Sequence, residues 1–256
     1  MRVPRTAILL AAVAVAFVVL PVVGLAVRAP WAEAGRRLSS PESLEAIGLS
    51  LAVATAATSV ALLLGVPLAV VLARMSFPGR GVLRGAVVLP VVLPPVVAGV
   101  GLLTALGRRG LLGPALEAAG VTLPFSTAGA VVAAAFVAMP FLVLALEAGL
   151  RQVDERLESA AASMGASGWF VLRRVTLPLV APQLAAGLVL TWARALGEFG
   201  ATLMFAGNLQ GVTQTLPLAV FEVSQTDPQG AILLSLLLVA LSLLALVALR
   251  GRFLAR

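Results

Sequence analysis

Apolar stretches of about 20 residues recur along the whole chain, separated by short polar segments that hold most of the charge. Each stretch is long enough to cross a hydrocarbon core of about 30 Å as a helix. The pattern predicts about six membrane-spanning helices, at residues 7–27, 44–72, 86–106, 128–150, 179–206 and 231–249. The expected fold is therefore an all-α, polytopic membrane protein, and no sizeable water-soluble domain fits between the spans. Pro90, Pro94 and Pro95 interrupt the third stretch. Each removes an amide donor and crowds the preceding turn, which membrane depth tolerates only against protein or beside a cavity. The segment reads either as a broken helix at a transport pathway or as a kinked packing helix.

The arginines set the orientation. With the N-terminus inside, cytoplasmic segments hold Arg2, Arg5, Arg74, Arg80, Arg84, Arg151, Arg156, Arg173, Arg174, Arg250, Arg252 and Arg256. The outer loops hold only Arg28, Arg36, Arg37, Arg108 and Arg109. This bias places both termini in the cytoplasm. Residues 207–230 contain no Arg and carry Glu222 and Asp227, as an external loop would. The first stretch reads as a retained helix, longer than a usual signal-peptide core; a cleaved signal peptide is the other reading.

Composition sharpens this picture. Of 256 residues, 61% are hydrophobic and 11% charged, far from the balance of a soluble domain. Cysteine and histidine are absent, which removes thiolate chemistry, the commonest general base and the commonest metal ligands. No metal site and no catalytic centre are expected. The net charge of +7 does not indicate nucleic acid, because the arginines sit at the ends of apolar runs, where they meet lipid headgroups.

The polar segment near 151–178 contains ESAAASMGASGWFVLRRVTLP from Glu158 to Pro178. A helix over 153–164 carries Leu157, Ala160, Ala161 and Met164 at helical spacing. Gly165 suits its end, Ser167 caps a second short helix over 169–174, and Pro178 opens the next span. The segment docks a partner or lies on lipid as an amphipathic helix.

Within the fifth stretch, Arg194 and Glu198 are four residues apart on one helix face. A lone charge at the bilayer centre costs roughly 2.5–3.5 kcal/mol, so the pair faces the bundle interior or a watery path. Arg194 offers positive potential to an anion and Glu198 orients it, or the two form a structural ion pair. Gly197 and Gly200 permit close helix approach, at a gate between two subunits or in simple packing.

These residues carry a resemblance. Ala160, Ala161, Gly165, Val175, Leu177 and Pro178 match the "EAA" loop of bacterial importer permeases of the ABC class. Ser159 stands where Glu is usual, with Glu158 one place earlier, and Val175 stands for the usual Ile. ARALGEFGAT followed by FAGN resembles the molybdate and sulfate/thiosulfate permeases, and LPVVLPPVVAG and GRRGLLG favour molybdate.

The resemblance implies an ABC type I importer permease fold: an N-terminal helix and external loop at 1–43, a permease core at 44–252, and a short tail at 253–256. It implies a coupling loop seated on an ATP-binding cassette subunit, which supplies ATP and Mg; this chain itself needs no cofactor. A second copy of the chain and an anion-binding periplasmic or lipid-anchored protein complete the expected partners, in a bacterial plasma (inner) membrane. Arg194, Gly197, Glu198, Gly200, Pro94 and Pro95 are expected at the pathway or gate. Arg108 and Arg109 either receive the binding protein or its anion, or are solvated loop charges.

The chain has no G-x-x-x-x-G-K-[ST] phosphate loop, and without Lys it cannot form one. Tungstate and sulfate remain alternative cargoes. An ion-gradient-driven anion transporter is a further class, with Glu198 as its only plausible intramembrane carboxylate.

Overall fold

The computed structural model describes residues 4–253, with side chains through Val247. Arg2, the side chains of Arg250 and Arg252, and all of the expected tail except the backbone of Phe253 lie outside the described residues.

The described chain is helical, and no strand occurs within it. α1 (Arg5–Arg28) leads through a 3₁₀ turn at Trp31–Glu33 into the short α2 (Ala34–Leu38) and then α3 (Pro41–Arg74). α4 (Arg80–Val92) and α5 (Pro95–Leu106) follow, then α6 (Gly113–Ala118) and α7 (Thr127–Leu150). α8 (Glu155–Ser163) and α9 (Gly168–Val171) precede a π-helical turn at Leu172–Thr176, α10 (Leu177–Leu179) and α11 (Ala181–Leu196). α12 (Gly200–Ala206), α13 (Leu216–Ser224) and α14 (Pro228–Phe253) end the chain. α1, α3, α7 and α14 are uninterrupted helices long and apolar enough to span a membrane; two bent pairs bring the total to as many as six.

α7 is the centre of the bundle. Ser126 caps it by accepting from the Gly129 amide, and Ala130, Ala133, Ala138, Leu142, Val143 and Leu146 are fully buried. The α7–α11 seam is built from small residues. Gly187 lies against Leu142 and Ala145, and Gly149 against Gln183, while the Thr191 hydroxyl points to the Ala138 carbonyl at 3.4 Å. These pairs define an antiparallel register. Lipid tails are as apolar as the helices, so close backbone approach and dispersion drive such packing.

α3 has 34 residues, about 51 Å of helix at 1.5 Å per residue, and outreaches the hydrocarbon core. Its last residue, Arg74, reaches α8, with its side chain 18% accessible.

The third span is broken. α4 and α5 meet at a 120° bend between Val92 and Pro95, with Pro90 retained inside α4. Both halves still progress along α7: Val87 clusters with Val143 and Leu146, and Leu102 and Leu106 with Ala133 and Leu123.

Two expectations are corrected. The fifth stretch is not one helix over 179–206. It enters through a 76° bend between Gly168–Leu179 and α11, and α11 stops at Leu196, so α12 is a separate piece. The cause is local: Gly197 ends α11, and Glu198 turns its carboxylate onto the Ala201 amide as a new cap. Residues 207–230 are not a plain loop either. α13 lies within them with Leu216, Pro217, Leu218 and Ala219 buried, its first amide donating to the Ser50 hydroxyl at 2.5 Å.

Candidate functional site

The polar segment folds into an elbow at the end of the bundle where α3 and α7 finish. Asp154 caps α8 by accepting from the Arg156 amide at 2.9 Å. Gly165 ends it at φ +87°, a left-handed conformation that side chains disfavour. Ser167 caps α9 through the Phe170 amide at 3.3 Å. The π turn then leads to Leu177 and Pro178 at the start of α10.

The apolar side chains of this elbow are largely unused by the chain itself. Ala161 is buried and Val175 and Leu177 half-buried, but Ser159, Ala160, Gly165 and Pro178 are exposed. Leu157, Met164, Trp169 and Phe170 are 49%, 83%, 70% and 53% exposed. A cavity of about 520 Å³ opens between the elbow and the bundle, lined by Val70, Arg74, Leu150, Glu155, Glu158 and Thr176. Glu158 faces this inner side. It lies 2.9 Å from Arg74 and accepts from the Thr176 hydroxyl at 2.8 Å.

A second charged group sits at the same end and escaped the sequence reasoning. Glu147 is 2% exposed in α7 and binds Arg84 of α4 at 2.7 Å and Arg151 at 2.9 Å. Glu198 is therefore not the only plausible intramembrane carboxylate. The four-residue spacing of Glu147 and Arg151 was a readable signal; Arg84, 63 positions away, was not.

The gate candidates gather where the two broken spans meet. Gly200 rests on Pro95 and Gly99 on Ala201 and Met204, so tightly that a Cβ at either glycine would collide, at 2.7 Å and 2.5 Å. Pro94 occupies the bend before α5 and, with Pro95, remains exposed. Gly197 is exposed at the end of α11.

Glu198 is 2% exposed and lies beyond the end of α11, yet it stays within 2.6 Å of Arg194. Its Oε1 accepts the Ala201 amide at 2.8 Å. The guanidinium reaches Oε2 at ion-pair distance, off the line of a directed hydrogen bond. Glu198 thus neutralises Arg194 and caps α12 at once. The Arg194 side chain remains 28% accessible.

Arg108 and Arg109 are exposed on the turn after α5, at the opposite end from the elbow. That turn is held by amides of Leu111 and Leu112 donating to the carbonyls of Thr104 and Ala105. A further cluster lies at α2: Arg37 pairs with Glu33 four residues earlier at 2.7 Å and with the distant Asp227 ahead of α14. Hydrogen bonding and charge from Arg37 hold Glu33 below the usual carboxylate range. The Gly230 amide, then Arg37, do the same for Asp227.

A bundle with two broken spans, an ion pair at the break and an apolar elbow outside it has the form of a transport-system membrane subunit. The chain belongs to the family of binding-protein-dependent transport system inner membrane components, whose model matches residues 62–256. It is 47% identical over 251 residues to the molybdenum transport system permease protein ModB of Mycobacterium tuberculosis, covering 97% of this chain and 94% of that protein. The protein of the same description from Escherichia coli is 43% identical, with 82% and 93% covered. The sulfate transport system permease protein CysW of Synechococcus elongatus is 40% identical, with 79% and 71% covered. Among solved structures, a bacterial ABC transporter involved in the import of the acidic polysaccharide alginate aligns with a TM-score of 0.70 at 19% identity, covering 96% and 95%. The MetNI methionine ABC transporter aligns at 0.64 and 18%, covering 83% and 94%. These two likenesses establish the ABC importer permease fold.

Proposed function

We propose that this chain forms the membrane pathway of an ATP-driven molybdate importer. The observation that carries the reading is the exposed apolar elbow, on a chain 47% identical to a molybdenum transport permease. In this reading the elbow is the coupling loop: Ser159, Ala160, Ala161, Gly165, Val175, Leu177 and Pro178 shape it, and Leu157, Met164, Trp169 and Phe170 enter a groove on an ATP-binding cassette subunit. That subunit supplies ATP and Mg and performs the hydrolysis. The elbow and both termini are cytoplasmic, in a bacterial inner membrane.

A second copy of the chain closes the pathway. The two broken spans, packed through Pro95, Gly99 and Gly200, give each copy a rigid wall, and Pro94 and Gly197 lie at their bends. Arg194, partly neutralised by Glu198, leaves one guanidinium edge for an oxyanion. Arg108 and Arg109 receive an anion-loaded binding protein on the outer face.

Energetics require a motor. Bringing a dianion inward against 100 mV, negative inside, costs about 4.6 kcal/mol at about 2.3 kcal/mol per charge. ATP-driven closure of the partner subunits moves the elbows together and tilts the spans, so that access alternates. Uptake into proteoliposomes holding the chain, its ATP-binding subunit and binding protein tests the proposal. Molybdate should accumulate only with ATP, and sulfate in excess should compete weakly. Sulfate uptake with molybdate excluded would favour the sulfate reading that the likeness to CysW supports.

A further inference from the structure

Glu158 occupies an unusual place on the elbow. It projects away from the surface that carries Leu157, Met164 and Trp169 and into the cleft beneath α8. Two separate elements converge on it. Arg74 Nη2, from the last residue of α3, lies 2.9 Å from Oε1. The Thr176 hydroxyl, from the π turn, donates to the same oxygen at 2.8 Å. α8 itself supplies the carboxylate, and Glu155 one turn earlier reaches Arg74 Nη1 at 3.4 Å. Thr176 is 3% exposed, and the side chains of Arg74 and Glu158 are 18% and 20% accessible, so water and salt screen the contact less than a surface pair.

We infer that Glu158 is a positioning residue, an internal yoke that ties the coupling helix to the end of α3 and to the π turn leading into α11, rather than a contact for the ATP-binding subunit. The inference rests on the elbow being the coupling loop. A helix pushed by a motor transmits force only to what it is fastened to. α8 packs mainly against α9 and the π turn and little against the spanning helices, so the backbone alone fastens it weakly to the bundle. The Glu158 carboxylate supplies two firm attachments. Through Arg74 it engages α3, which packs along α7. Through Thr176 it engages the π turn, where α-helical hydrogen bonding is already interrupted and a small rotation is accommodated. The π turn continues through α10 into α11, whose far end carries Arg194 and the break at Gly197. A displacement of α8 is thereby passed to α3 and, through α10, to α11, whose far end carries the gate residues.

The test uses the full complex in proteoliposomes and reads anion transported per ATP hydrolysed. Glu158→Ala and Arg74→Ala should each lower this ratio by about tenfold, within the range of measured coupling effects, while the ATP-binding subunit still co-purifies in native amount. The exchanged pair Arg74→Glu with Glu158→Arg should recover most of the ratio, because the attachment is restored with its signs reversed. Thr176→Val, nearly identical in shape, should lower the ratio while the chain still folds and binds the subunit, and it decides the matter if the charge variants fail to fold. A native ratio in both Glu158→Ala and Thr176→Val overturns the inference. So does loss of co-purification in Glu158→Ala that the exchange leaves unrepaired, since Glu158 then contacts the partner. Failure of the unaltered chain to bind the subunit or to transport would instead count against the proposed function.

Discussion

Gly200 packs directly on Pro95: a Cβ at position 200 would lie 2.7 Å from the proline's own Cβ. The start of α12 and the start of α5 therefore touch where each broken span resumes. Gly200→Val should force them apart. Overpacking a close seam costs typically about 1–3 kcal/mol, so the detergent-solubilised protein should melt several degrees lower and ATP-driven uptake should fall at least about tenfold. Gly197→Ala, with only the Ala193 carbonyl near its Cβ at 3.7 Å, should change melting little.

Removing one member of the Arg194–Glu198 pair should hurt more than removing both. Glu198→Ala strips the cap from α12 and leaves Arg194 without its counter-charge. Breaking a fully buried pair costs roughly 3–5 kcal/mol, and the cost here should be smaller because the Arg194 side chain is 28% accessible. Arg194→Gln with Glu198→Gln keeps an acceptor for the Ala201 amide and should recover much of the lost stability. A double-mutant cycle on unfolding measures the coupling.

Gly165→Pro should leave the bundle intact and uncouple it. Proline is fixed near φ −65°, whereas this residue sits at φ +87°. The turn between α8 and α9 has to re-form, changing how the two short helices are set against each other. ATP turnover should continue in the complex while uptake falls; unchanged uptake per ATP counts against the elbow as the coupling element.

These sites differ in how far the sequence revealed them. The apolar periods showed where apolar helices lie, because a membrane fixes their length; four are unbroken candidate spans, and the two bent pairs bring the total to as many as six. The elbow was legible because Gly165 and Ser167 are local signals acting within a few residues, whereas Asp154, expected inside the first helix, caps it instead. The breaks were half legible: three prolines marked the bend before α5, but nothing local showed that Glu198 would cap a new helix at Ala201. α13 was hidden because Ser50, 166 positions away, satisfies its first amide. Separations of 84 and 63 positions likewise concealed the Arg74–Glu158 and Arg84–Glu147 pairs.

The Glu33–Arg37–Asp227 clamp should resist acid. Both carboxylates are held below their usual range in the folded chain. Such groups add stability above their unfolded values and lose it as pH falls through the folded ones. The clamp should hold at pH 5 and loosen only below about pH 4, the ordinary carboxylate region. Hydrogen exchange at the Gly230 amide, which donates to Asp227 at 3.1 Å, reports it; loss of protection between pH 6 and 5 would contradict the assignment.

Replacing Arg108 and Arg109 with Gln should raise the binding-protein concentration needed for half-maximal uptake, most visibly at low salt, where steering by charge is strongest. Maximal uptake and melting temperature should not change, because both side chains are exposed and lie outside the helix seams.

The chain has no cysteine, so one introduced thiol reports without background. Met164→Cys, at a side chain 83% exposed on the elbow, is the most direct probe of the whole account. In intact cells it should resist a membrane-impermeant maleimide and, after lysis, form a cross-link to the ATP-binding subunit that changes in yield between nucleotide-free and ATP-trapped states. Labelling from outside the cell, or no cross-link to that subunit in any nucleotide state, would contradict it.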